Sequence, residues 1–179
     1  MSTALLVIDV QQGFDEPYWG ARNNPQAEEN IARILVAWRN EKRPIFHIQH
    51  NSCLPQSPLH PSHPGNAFKP VATPRDGEPI IGKDVNSAFI GTDLEARLRG
   101  ANIPEVVIVG LTTPHCVSTT TRMASNLGFK TMVVSDATAA NEGRGPDGAP
   151  VDAETMHYHA LAALNGEFAK IVTTSELLG

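Results

Sequence analysis

Cys116 has the clearest chemical potential of any residue in this chain. It follows an apolar β-branched run, Val106-Val107-Ile108-Val109, then Gly110 and the pair Thr113-Pro114. The run reads as a buried strand and Gly110 as a tight turn. Thr113 and Pro114 read as the N-cap and first turn of a helix whose apolar spacing continues at Val117, Ala124 and Leu127. Cys116 then sits in the first helical turn. Unpaired backbone N–H groups and the positive end of the helix dipole favour thiolate over thiol there. A cysteine so placed is a candidate nucleophile.

A thiolate attacks a carbonyl well only beside a proton acceptor, a positive charge and an oxyanion site. Asp9 directly follows the apolar run Leu5-Leu6-Val7-Ile8, and Lys83 follows the short run Ile80-Ile81. Asp9 could take the thiol proton and return it to a leaving amine. Lys83 is long enough to hold aspartate and thiolate together, and backbone N–H groups near Thr112 and Cys116 could receive an oxyanion. Alone, each residue has an ordinary reading: a loop carboxylate, a surface amine, a small buried thiol. The functional reading comes from all three lying at strand ends.

The elements that must position them alternate in type. Strands are predicted at 5–8, 45–48, 80–81, 106–109, 131–134 (ending at Asp136) and 170–172. Helices are predicted from about Gln26 to Lys42, from a cap at Thr92 or Asp93 to Arg99, from the cap at Thr113 to a stop at Gly128, and from Asp152 to Leu164. Residues 87–90 read as extended and 175–178 as a turn. Residues 51–79, rich in proline, read as a long functional or interface loop. The alternation predicts one α/β domain over 1–179, Rossmann-like and mainly parallel. Right-handed crossovers place the first strand beside the one ending at Gly110, so Asp9 and Cys116 meet at a topological switch point, where such sheets bind ligands.

Composition excludes some classes. The net charge of −5 gives no basic footprint for nucleic acid, and no apolar run reaches membrane-spanning length. The start, Met1-Ser2-Thr3-Ala4-Leu5, has no basic region or cleavage site, so cytoplasmic residence is expected. Cys53 and Cys116 form no disulfide framework, and no G-x-G-x-x-G follows the first strand.

Three segments carry a family resemblance: LLVIDVQQGF at 5–14, Lys83 with NSAF at 86–89, and GLTTPHCVSTTTRMASNLGF at 110–129. In combination they resemble the isochorismatase-like cysteine hydrolases, a family that includes nicotinamidases and N-carbamoylsarcosine amidases. The resemblance covers nearly the whole chain. It implies an Asp9–Lys83–Cys116 triad and a three-layer α/β/α fold around a six-stranded sheet of order 3-2-1-4-5-6. It also implies a cis peptide at Leu111–Thr112, which would turn the Thr112 N–H toward an oxyanion position beside that of Cys116.

The resemblance further implies a cofactor-independent hydrolase of a small amide, ureido or carbamoyl compound, acting through a thioester. Nicotinamidases of the family hold a metal through an Asp-x-His pair. Here the segment reads His47-Ile48-Gln49-His50-Asn51, without aspartate, so no metal is expected, although His50, His60 and His63 are a conceivable set. Retention of Cys116 with Lys83 favours acyl transfer over the alternative, vinyl-ether hydrolysis of the isochorismatase type. A thiol-redox or ligand-binding protein on the same fold is the rival from another class. Phe14, Trp19, Asn86 and His115 are the expected substrate contacts. Cys53 reads as a bystander and Asp136 as a structural cap. The expected partner besides the small-molecule substrate is a second copy, in a homodimer or homotetramer.

Overall fold

Strand β1 (Thr3–Ile8) is buried along its whole length, as a continuous apolar run must be when helices cover both faces of a parallel sheet. The computed structural model describes residues 3–179; Met1 and Ser2, on which the reading of the start partly rests, lie outside them. Along the chain follow α1 (Ala27–Asn40), β2 (Ile45–His50), β3 (Ile80–Lys83), α2 (Leu94–Gly100), β4 (Glu105–Leu111), α3 (Ser118–Asn126) and β5 (Lys130–Ala139). A small hairpin of β6 (Gly143–Arg144) and β7 (Pro150–Val151) comes next. It leads into α4 (Ala153–Leu164), β8 (Lys170–Val172) and α5 (Thr174–Leu178).

The six-stranded sheet has the order β3-β2-β1-β4-β5-β8, with every pairing parallel. β8 is the sixth strand of this sheet, so the expected order holds. Alternate residues of β1 face opposite layers. Leu6 and Ile8 pack with Leu94 and Leu98 of α2, Ala124 of α3 and Leu164 of α4. Leu5 and Val7 pack with Ile31, Ile34, Leu35 and Trp38 of α1 and with Leu177 and Leu178 of α5. Each such aliphatic side chain removed from water contributes roughly 1.5–3 kcal/mol. The strand that leads into Asp9 is thus packed on both faces.

Gly110 is required where β4 passes β1. Its φ is +118°, and an added Cβ would lie 2.0 Å from the Ile8 carbonyl oxygen. The β4–β5 register shifts between Ile108 and Gly110, and β5 runs past Asp136 to Ala139.

Three local expectations are corrected. Residues 87–90 form a turn, not a strand: Thr120 Oγ1 accepts the Ala88 N–H and Thr92 Oγ1 donates to the Ala88 carbonyl, leaving no pair of groups for a ladder. The segment expected as a C-terminal turn is helix α5, opened by a capping box between Thr173 and Glu176. The turn at Cys116 is π-helical over Thr113–Val117, with Thr112 as its N-cap, and regular helix begins at Ser118. Asp136 Oδ1 accepts from the N–H and hydroxyl of Thr174, so it caps α5.

Candidate active site

The end of β1 releases the chain at Asp9, which has φ of +50°, a conformation that aspartate tolerates better than most residues. Its N–H still bonds the Ile48 carbonyl of β2, so the side chain is delivered beyond the carboxyl edge of the sheet. Lys83 is the last residue of edge strand β3, whose burial alternates from an exposed Ile80 to a buried Lys83. That alternation turns the amine inward. Cys116 arrives from β4 through the cis peptide Leu111–Thr112 and the π-helical turn.

The three side chains converge. Lys83 Nζ lies 2.7 Å from Asp9 Oδ2 and 3.3 Å from Cys116 Sγ, and donates a third hydrogen bond, of 2.9 Å, to His50 Nδ1. An ammonium has three donors, and all three are in use. The Asp9 and Lys83 side chains are fully buried. Asp9 Oδ1 is also buried but has no hydrogen-bond partner. The potential ligand atoms of Asp9, His50 and Cys116 lie within 4.8 Å of one another. One carboxylate oxygen is therefore held by the lysine and the other is unpaired, with the carboxylate as a whole close to the thiol.

Burial raises the Asp9 carboxyl above its ordinary value, against the pull of Lys83. Burial first, and the Asp9 charge second, push the Cys116 thiol from 9.0 up to about 12. This corrects the expectation of a thiolate at the helix start. A rise of that size is worth about 4 kcal/mol, whereas a helix terminus supplies about 0.3–1 kcal/mol. Cys116 therefore rests as a thiol, which would have to lose its proton before acting as a nucleophile.

A cavity of about 210 Å³ opens onto Cys116. All four sequence-predicted contacts, Phe14, Trp19, Asn86 and His115, line it, together with His50, Leu59 and Thr112. Phe14 and Trp19 pack with ring centroids 5.0 Å apart, and Trp19 Nε1 donates to the Gly13 carbonyl. His115 is exposed and lies 3.1 Å from Thr112 Oγ1 through Nδ1. Larger clefts of about 400 Å³ lie near Arg39 and Arg75 and beside Glu142, but neither reaches the thiol.

The histidine set considered for a metal is not assembled. His60 bonds Ser62, and His63 accepts from the Gly65 N–H beside Glu16; only His50 reaches the centre. Its contact with Lys83 is what the sequence reading missed. A signal existed: β2 and β3 pair in register with His50 opposite Lys83, so a histidine closing β2 arrives level with the lysine closing β3. Cys53 is exposed and outside the site.

The isochorismatase domain model matches residues 3–176. The chain belongs to the isochorismatase family of hydrolases. The isochorismatase-family protein YrdC of Bacillus subtilis is 53% identical over 98% of this chain and 94% of its own length. A solved structure of an isochorismatase-family protein from Chromobacterium violaceum superposes with a TM-score of 0.96 at 43% identity, covering 99% of this chain and 92% of that one. More distant is the maleamate amidohydrolase of Pseudomonas putida, 32% identical over 74% of this chain and 70% of its length.

Proposed function

We propose that this isochorismatase-family hydrolase is a cysteine amidohydrolase that splits a small amide, ureido or carbamoyl C–N bond through a thioester on Cys116. The observation that carries the reading is the buried Asp9 carboxylate within 4.8 Å of the thiol, its Oδ2 held by Lys83 and its Oδ1 without a hydrogen-bond partner among the described residues. A buried acceptor left without a partner is costly, and such a group is expected where a proton must be received.

The steps follow from this arrangement. Asp9 takes the Sγ proton as sulfur attacks the carbonyl carbon, and Lys83 stabilises the thiolate as it forms. The N–H groups of Thr112 and Cys116 receive the oxyanion. Asp9 returns its proton to the nitrogen, the C–N bond breaks, and ammonia or an amine departs, leaving a thioester. Water then gives a proton to Asp9 and its oxygen to the acyl carbon, the C–S bond breaks, Asp9 returns that proton to sulfur, and the acid leaves. The named activity of the Pseudomonas relative supports the class of bond.

The test is ammonia release from a panel of small amides and ureides, with intact-protein mass spectrometry to detect an acyl adduct. Cys116→Ser should lose activity by at least a hundredfold and Asp9→Asn similarly, with no adduct on either. Ammonia release that survives Cys116→Ser would sink the thioester route.

A further inference from the structure

The third donor of Lys83 has consequences for the substrate. His50 is clamped by its backbone: its N–H donates to Gln11 Oε1 at 2.8 Å, and its carbonyl accepts from Gln11 Nε2 at 3.0 Å and from Asn66 Nδ2 at 3.0 Å. Its ring is held by Lys83 at Nδ1. The ring's other nitrogen, Nε2, has no hydrogen-bond partner among the described residues and is not wholly buried, while the residue lines the cavity. An ammonium only donates, so Nδ1 must accept, and the proton of a neutral ring must sit on Nε2. Burial, and next the charge of Lys83, hold His50 below its ordinary value; Asp9 and Asp84 pull the other way. The ring is therefore neutral near pH 7.

We propose that His50 is the specificity-determining donor of this site, presenting Nε2–H to an uncharged hydrogen-bond acceptor on the amide substrate. The rest of the wall agrees. Phe14, Trp19 and Leu59 supply apolar surface, and no lysine or arginine lines the cavity. Lys83, at the back of the site, has every donor committed. A substrate carboxylate would be desolvated there without a counter-charge, which is expensive. The site thus takes uncharged amides with an acceptor on the acyl part, and this separates it from a maleamate-type substrate. The inference rests on the amidohydrolase reading and narrows it.

Two measurements test it. Nitrogen-15 NMR of the histidine rings at pH 7, with His50 assigned by its loss in His50→Gln, should show Nε2 protonated and Nδ1 as acceptor. A proton on Nδ1, or on both nitrogens, overturns the proposal whatever the activity. The second compares kcat/KM for benzamide, the three pyridinecarboxamide isomers and maleamate in the native protein, His50→Gln and His50→Leu. One pyridine isomer should exceed benzamide by about tenfold, the scale of one well-placed hydrogen bond, and maleamate should trail both. His50→Leu should bring the ratio to about one even though its absolute rates also fall, and His50→Gln should keep part of it. A ratio unchanged in His50→Leu, no favoured isomer, or preference for maleamate overturns the donor role and leaves the amidohydrolase reading intact. If the native protein turns over no amide or ureide at all, both fall.

Discussion

Replacing Lys83 by Met removes the ammonium while keeping most of the side-chain volume. Asp9 and Lys83 are both wholly buried and 2.7 Å apart, so the variant leaves a carboxylate in the core with no counter-charge. Breaking a buried pair from one side costs about 3–5 kcal/mol. The sign with pH follows from linkage. A carboxyl whose pKa is raised by folding, as that of Asp9 is, binds its proton more tightly folded than unfolded. Stability therefore declines as pH rises above the unfolded value of 3.8 and levels off past the folded one. Loss of Lys83 removes the group that opposes this rise, so the window widens in the variant. At about 1.4 kcal/mol per pH unit, the full cost accumulates over roughly two to four units. Urea unfolding followed by tryptophan fluorescence, with Trp38 buried and Trp19 half-buried, would measure both proteins from pH 4 to pH 8. The stability gap should be small at pH 4 and approach 3–5 kcal/mol at pH 8. Parallel curves across that range would refute the claim that the lysine's main structural task is to keep Asp9 ionised.

In the unliganded protein at pH 7, iodoacetamide should label exposed Cys53 well before Cys116, because a thiol pushed up to about 12 is ionised to only about one part in 10⁵; peptide mapping of partly alkylated protein decides, and faster loss of Cys116 contradicts it. Glu28, held at about 2 by Arg22 and Lys69 against the opposing effect of burial, contributes roughly 3 kcal/mol above pH 4.5. That contribution should fade as pH falls toward 2, so Glu28→Gln should lose stability at pH 7 and little at pH 2.5. Gly110→Ala should lose about 3 kcal/mol or more in urea unfolding, since its Cβ would meet the Ile8 carbonyl at 2.0 Å; a change within 0.5 kcal/mol would mean that the β1–β4 approach relaxes freely.

The sheet was legible because its strands announce themselves as apolar runs ending at Asp9, Lys83 and Gly110. The parallel topology then brings those ends together whatever the loops do. The convergence of Asp9, Lys83 and Cys116 was legible for the same reason, and the residues that line the cavity came from their neighbours in sequence. What could not be read depends on distance in space. Thr120 reaches across to Ala88 and prevents a strand there. The protonation of Cys116 is set by burial from every side, while a sequence displays only the helix it begins. His50 becomes meaningful only once β2 and β3 are paired in register.

The mouth of the cavity is built from two loops that share their backbone surfaces. A Cβ on Gly13 would stand 2.6 Å from the Pro58 carbonyl oxygen, and one on Gly65 would stand 2.7 Å from the Gly13 Cα. The loop that carries Phe14 and Trp19 is thus pressed backbone to backbone at Gly13 against the proline-rich loop that carries Leu59. Neither loop can change length or path alone without parting from the other. A lineage that needs a new substrate has an easier route through exchange of the side chains at 14, 19, 50 and 59 on an unmoved frame. Divergence among relatives that share this junction should then read as a short alphabet of pocket residues, and a library confined to those four positions should recover altered selectivity more often than one that varies the loops.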